Sequence, residues 1–290
     1  MGRERVVDEV CGIAHGAAVM GDWWNLLLVR EIVRGHRRFD ALIRELGVSR
    51  KILTERLAHL VANDVVRRVP YSQRPPRYEY ELTERGRAFL PVLVSMQDWA
   101  DRWLLGDGEL TATAEPGSAE AVRMRALPGT RIPTGLTLVG PDGARDPVAD
   151  APVTVLFTYP ATAKPTPPPK GWDAIPGTFG CTLENRLFRD RWPEFTAVGA
   201  AVHGISTQRP EEQAAFAAAE KVPFPLLSDV DLQFAAAVRL PTIRIAQQPR
   251  LKRLIAVVDA DRVVRHAIFP VVDIPAAVDE ALRAAERLGA

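Results

Sequence analysis

The sequence predicts a mainly α domain followed by an α/β domain, and three observations point to that division. Residues 6–105 carry apolar side chains at helical spacing, interrupted once by a strand-like hairpin. From about Ala119 onward, short apolar runs alternate with helical segments. Between them, Gly106 to Ser118 consists mostly of Gly, Thr, Ala, Glu and Pro without periodicity, which reads as a linker. A chain of 290 residues is long enough to bury two cores. The expected boundaries are 1–105, 106–118 and 119–290.

In the first domain, Val10, Ile13, Ala14, Ala17 and Ala18 follow helical spacing, and a longer helix runs through DWWNLLLVREIVRG to Gly35. FDALIREL then leads to a turn at Gly47-Val48. Ser49 is a good N-cap for the next helix, RKILTERLAHLVAND, whose Ile52, Leu53, Leu57, Leu60 and Val61 form an apolar stripe. Two short helices joined by a tight Gly-containing turn are a helix-turn-helix. VVRRV and RYEYEL alternate like strands around a PYSQRPP tip, the pattern of a basic wing. Thr83 caps a final helix, ERGRAFLPVLVSMQDWADRWLL, lined on one face by Phe89, Leu93, Met96, Ala100 and Trp103. An apolar face on the last helix of so small a domain calls for a partner, so a homodimer through 84–105 is expected.

In the second domain the strand segments are PVTVLFTY, AVHGIST, FPLLSD, LIAVVDADRVV and HAIFPVV. The helices are TLENRLFRDRW, EEQAAFAAAEKV and IPAAVDEALRAAERL. This alternation implies a sheet with helices on its faces. The proline-rich PATAKPTPPPKGWDAIPG rules out regular structure and predicts a surface excursion.

Composition narrows the function classes. With 47% apolar and 25% charged residues, the chain reads as soluble and globular. The opening MGRERVVDEV lacks the apolar core of a secretory signal, and no apolar run is long enough to span a membrane. A cytoplasmic location is therefore expected. The formal net charge is only +1, yet Arg34 to Arg77 holds eleven Arg/Lys against four acids. One basic stretch on a neutral chain is either a nucleic-acid footprint or a solvated surface. The two cysteines, Cys11 and Cys181, fall one in each half. They form neither a disulfide framework nor a zinc-ligand cluster, and no metal or cofactor is expected. Each is a buried apolar filler or a reactive thiol.

Cys11, GDWWNLLLVREI, RRFDALIREL-GVSRKILTERLAHL and PPRYEYELTERGRAFLPVL follow one another in the order of the HxlR-type winged-helix regulators, which the first domain resembles over about ninety residues. The resemblance implies double-stranded DNA as a partner. Ser49, Arg50, Lys51, Thr54 and Arg56 lie on the helix expected to enter the major groove. Arg74 and Arg77, near the wing tip, are placed for backbone or minor-groove contact. It also implies that Cys11 senses oxidants or electrophiles, with His15 one helical turn away.

IPGTFGCTLENRLFRD, with VLFTYP before it and VHGIST, FPLLSD and KRLIAVVDADRVV after it, resembles peroxiredoxins of the bacterioferritin-comigratory-protein type. These belong to the alkyl hydroperoxide reductase/thiol-specific antioxidant group, which implies a thioredoxin-like fold. The resemblance makes Cys181 the peroxidatic thiol, Thr178 the residue that holds the peroxide oxygen and Arg253 the catalytic arginine. A helix N-terminus and a cation would favour the thiolate, so a lowered Cys181 pKa is expected. Two departures stand out. In the usual PxxxTxxC pattern a proline lies four residues before the threonine, whereas here that position is Ala174, with Pro160 beyond the insertion and Pro176 next to the site. Arg186 stands where two-cysteine members carry a resolving cysteine. The expected activity is therefore one-cysteine, with an external thiol reductant, a second subunit or Cys11 resolving the oxidised sulfur. One thiol per domain also allows a Cys11–Cys181 disulfide.

Three readings follow: a peroxide-responsive regulator, a one-cysteine peroxidase that uses the winged helix for dimerisation or DNA localisation, and a regulator with an inert interaction domain.

Overall fold

The computed structural model describes residues 10–162 and 171–289. The proline-rich excursion expected between residues 160 and 177 falls partly outside the described residues. The chain divides into two compact units, Met1–Leu93 and Val94–Ala290.

The first unit opens with α1 (Gly12–Met20) and α2 (Trp23–Val33), the latter capped by Asp22 Oδ1, which accepts the Trp24 N–H at 2.9 Å. Next come α3 (Phe39–Leu46) and α4 (Arg50–Ala62), with Gly47 in the left-handed conformation between them. Ser49 is the N-cap of α4 and accepts the Ile52 N–H at 3.3 Å, a contribution of about 1 kcal/mol. Leu53, Leu57 and Leu60 bury the apolar stripe of α4, while Ile52 and Val61 lie at its margins. The wing is β1 (Val66–Gln73) paired antiparallel with β2 (Pro76–Leu82), from Val66↔Leu82 to Gln73↔Pro76 at the tip.

The expected single helix after Thr83 is two: α5 (Glu84–Arg87) and α6 (Leu90–Trp103). Pro91 explains the break, because it has no N–H to donate to the Arg87 carbonyl and its ring crowds that carbonyl. Phe89 therefore sits in the intervening turn. The exposed apolar stripe of α6 is Val92, Met96, Trp99 and Trp103, with Leu93 and Ala100 half-buried.

The second unit begins within α6, at Val94. The Gly106–Ser118 segment takes no helix or strand, but Ala112 and Ala114 are buried. It leads to α7 (Ala119–Arg125), β3 (Leu138–Gly140), β4 (Gly143–Arg145) and β5 (Val153–Thr158). Then come α8 (Cys181–Asp190), α9 (Trp192–Ala197), β6 (Ala200–Ser206), α10 (Pro210–Glu220) and β7 (Leu226–Ser228). The chain ends with α11 (Gln233–Val238), β8 (Thr242–Ile245), β9 (Gln248–Leu251), β10 (Leu254–Asp259), β11 (Val264–Ile268) and α12 (Ile274–Gly289).

Seven strands form one mixed sheet in the order β11-β10-β5-β6-β7-β3-β4, with β5, β6 and β7 parallel. β10 runs antiparallel to β5, and β8–β9 is a separate hairpin. Every residue of β5 is buried, as expected for a central strand covered on both faces. α12 packs on β5, β10 and β11 and against α8 and α9. Phe157, Phe188, Phe195 and Phe224 fill this core, with the Phe157 and Phe188 rings stacked at 4.2 Å. A smaller core joins Ala112, Trp172, Ile243 and Ile245, with Leu110, Ala161 and Ile175 against them. Among the described residues, no helix is long and apolar enough to cross a membrane.

Candidate functional site

Central β5 runs antiparallel to β10 and carries the chain up to Pro160, while β10 begins immediately after Arg253, so both meet where α8 starts. Gly180, at φ 105°, is the residue before α8, and a Cβ there would collide with Ile274 Cδ1. Only glycine fits this turn. It places Cys181 at the first position of α8, at the positive end of the helix dipole, 3% exposed.

Arg253 is the hub of the site. Its Nη2 lies 3.0 Å from Cys181 Sγ and donates to the Phe179 carbonyl at 2.6 Å, while Nη1 donates to the Gly177 carbonyl. Its Nε faces Glu184 Oε2 at 3.3 Å. The Ala161 N–H also points to the sulfur, and the thiol faces the Thr178 carbonyl at 3.7 Å. Ala161, twenty residues before Cys181 in the chain, thus meets the thiol. Thr178 is buried, and its hydroxyl lies 2.8 Å from the Trp172 carbonyl and 2.9 Å from that of Ile175. With its proton turned to these carbonyls, that hydroxyl offers lone pairs to an incoming O–H.

Burial pushes the Cys181 thiol up, against the pull of Arg253 and the Ala161 N–H, and Glu184 pushes it further. The expected lowering is therefore not what the closed site gives, because desolvation of the thiolate outweighs one cation. Burial likewise raises Glu184 to about 7 despite Arg253, and its Oε1 has no hydrogen-bond partner among the described residues. Glu184 was not among the residues expected at the site. Its signal was a lone acid one helical turn after the cysteine. Arg186, at the resolving position, pairs with Glu220 at 2.7 Å.

In the first unit, Arg50 and Lys51 project from the start of α4 into solvent, Arg50 near Asp40 at 3.4 Å and over the Phe39 ring. Thr54 returns its hydroxyl to the Arg50 carbonyl, and Arg56 is drawn to Asp22 at 3.3 Å. Arg74 and Arg77 are exposed at the wing tip. Two further wing pairs escaped the sequence reading, Arg38 over Tyr71 and Arg68 over Tyr78. Cys11 is the N-cap of α1, half-buried, its Sγ accepting the Ala14 N–H at 3.4 Å, and both cysteines are free thiols.

Residues 19–107 match the HxlR-like helix-turn-helix family. An uncharacterised HTH-type transcriptional regulator of Synechocystis sp. PCC 6803 is 40% identical over 97 residues, which are 33% of this chain and 72% of that protein. The chain belongs to the HxlR-like family. A second uncharacterised HTH-type regulator, from Mycobacterium tuberculosis H37Rv, is 41% identical over 92 residues, or 32% of this chain. The chain spans 58% of the length of that mycobacterial relative. Unlike a bare HxlR-like domain, this chain continues into a second family: residues 174–267 match AhpC/TSA. The crystal structure of peroxidoxin BcpB from Mycobacterium tuberculosis is similar at 32% identity and a TM-score of 0.45, over 55% of this chain and 96% of that one. The chain thus joins a helix-turn-helix regulator domain to a peroxiredoxin-like domain.

Proposed function

We propose that this chain is a DNA-binding regulator whose peroxiredoxin-like domain reacts with peroxide through Cys181. The observation that carries the reading is a buried thiol at a helix N-terminus with a buried guanidinium 3.0 Å from its sulfur. In the reaction the Cys181 thiolate attacks the distal peroxide oxygen and an S–O bond forms as the O–O bond breaks. Two electrons pass from sulfur to peroxide, leaving Cys181 as the sulfenic acid and an alkoxide or hydroxide that takes up a proton. Arg253 stabilises the charge developing on those oxygens. Thr178 accepts a hydrogen bond from the peroxide O–H. With no second cysteine in this domain, an external thiol returns the sulfenic acid to the thiol in two steps, first a mixed disulfide with loss of water, then exchange.

Arg50, Lys51 and Ser49 at the start of α4 and Arg74 and Arg77 on the wing contact double-stranded DNA. The exposed α6 stripe is the expected homodimer seam, and Cys11 a second redox-sensitive thiol. The test is peroxide consumption with a thiol donor, compared between wild type and Cys181→Ser, together with gel shifts before and after oxidation. Consumption that survives Cys181→Ser overturns the thiol chemistry. Consumption without any change in DNA affinity leaves a one-cysteine peroxidase localised on DNA. An affinity change without consumption leaves a regulator that does not turn over.

A further inference from the structure

Oxidation of Cys181 has to displace its surroundings. The sulfur is enclosed by Arg253 Nη2, the Ala161 N–H and the Thr178 carbonyl, and almost none of the residue reaches solvent. Adding an oxygen to that sulfur, or bringing a second thiol onto it, requires space that a close-packed interior does not hold. The walls around it are the loop of residues 176–180 and the segment at Ala161.

Residues 110–114 lean on both walls. The Ala112 N–H donates to the Pro176 carbonyl at 2.9 Å, and the Thr111 hydroxyl reaches the same carbonyl at 3.4 Å. A Cβ on Gly177 would lie 3.0 Å from Thr113 N and 3.1 Å from its Cβ, so the two backbones pass closely, and a φ of 81° favours glycine there. Ala112 is 2% exposed and shares the smaller core with Trp172, Ile243 and Ile245, and Ala161 packs against that core. The same Gly177 carbonyl accepts from Arg253, and the next residue back, Lys252, donates its Nζ to the Thr113 carbonyl at 2.9 Å and to Glu120 at 2.6 Å.

The far side of this small core is bolted to α6. Asp98 accepts the Thr242 N–H at 3.3 Å and its hydroxyl, and Ser95 accepts from Arg244 at 2.5 Å. Gln97 donates to the Leu240 carbonyl at 3.1 Å. Asp101 takes both ends of Arg123, at 2.9 and 2.6 Å, and Arg123 in turn donates to the Arg239 carbonyl. α6 is also the helix that begins at Leu90, within the helix-turn-helix unit.

We infer that residues 110–114 are a redox-released strap that reports the state of Cys181 to α6. This rests on the proposed reactivity of Cys181. With the thiol reduced, the 176–180 loop is closed and the strap is held on Pro176, Gly177 and the smaller core. Formation of the sulfenic acid moves the loop, the strap loses its hydrogen bonds and its seat for Ala112, and the core that backs β8 loosens. α6 then loses the support of Thr242 at Asp98 and of Arg244 at Ser95. The two-state element that both sites bias is the strap, seated or released.

Hydrogen exchange on the full chain reads this directly, with reduced protein, protein after stoichiometric hydrogen peroxide, and Cys181→Ser treated the same way. The Ala112 amide is protected when reduced and exchanges at least about tenfold faster after oxidation, together with 176–180, while Cys181→Ser shows no change. Unchanged protection of residues 110–114 in protein whose Cys181 is oxidised by mass overturns the strap. Ala112→Asp, outside the thiol chemistry, unseats the strap without oxidant. It retains peroxide consumption and gives reduced protein the DNA affinity of oxidised wild type. If peroxide leaves Cys181 unmodified, the thiol reading fails, and Ala112→Asp still decides the strap: unaltered DNA affinity in that variant overturns it.

Discussion

Around Cys181, burial and the charges of Arg253 and Glu184 set the chemistry, and their signs are separable. Arg253 favours the thiolate, while burial and Glu184 disfavour it, so the closed site holds the thiol above its ordinary value. Removing the anion without changing shape, Glu184→Gln, shifts the pH midpoint of Cys181 alkylation downward. Arg253→Met shifts it upward and slows peroxide reduction by the 10²–10³-fold order that loss of an oxyanion donor costs. Both midpoints come from iodoacetamide kinetics between pH 6 and 10. A Glu184→Gln midpoint equal to or above wild type defeats this account of the site. The sequence singled out Cys181, Thr178 and Arg253 because each is tied to a short pattern, and the structure places the three side by side. The upward pKa shift was not legible, since desolvation depends on Ala161, Arg253 and the 176–180 loop meeting around the sulfur from separate stretches of chain.

At the scale of elements, what sequence reveals and what it hides follow one rule. The helical periods of α4, α10 and α12 and the continuous apolar run of β5 lie within a few residues of their expected positions, because their pattern is written locally. β8–β9, α7 and α11 escaped notice: they are short, and their stability comes from partners distant in sequence, as with Asp229, which caps the amides of Phe234 and Ala235. The 106–118 segment lacks periodicity as expected, yet long-range hydrogen bonds hold Ala112 in place. For α4 and the wing, Lys51→Ala and Arg74→Ala each lower the salt dependence of DNA binding by about one counterion in the log K against log salt slope. Arg56→Ala leaves that slope unchanged, because its guanidinium faces Asp22. Filter binding from 50 to 300 mM salt (roughly the span over which counterion release dominates) decides it. For α6, Val92, Met96, Trp99 and Trp103 are each more than half exposed at spacings of four, three and four residues, an apolar stripe along one helix face. Trp99→Glu converts a dimer to a monomer in sedimentation equilibrium, and an unchanged mass sinks that seam.

Across the whole molecule, buried ionisable groups in the second unit tie its stability to pH. Glu184 and Asp229, both fully inside, are raised by burial to about 7, and Asp98 to about 6. Each binds a proton in the folded chain that it has already lost when unfolded. Their contribution is thus complete below pH about 4 and disappears as pH rises through the folded values. His203 acts in the opposite sense: burial lowers it, so its contribution is lost as pH falls below its ordinary 6.5. Between pH 6.5 and 8 folded Glu184 and Asp229 release their protons. The urea midpoint of the second unit therefore falls across that interval, with a slope bounded by about 1.4 kcal/mol per pH unit for each group. Asp229→Asn keeps an acceptor oxygen for one of the Phe234 and Ala235 amides, which use different carboxylate oxygens, and removes one titration, so its curve is flatter than wild type. Equilibrium urea unfolding at four pH values, followed by far-ultraviolet circular dichroism, measures both slopes. A midpoint that rises with pH, or an Asp229→Asn slope equal to wild type, would show that these carboxyls are solvated in the folded chain. The same measurement on oxidised protein links this scale back to the thiol: if loop opening hydrates Glu184, oxidation also flattens the slope, leaving the Asp229 share intact.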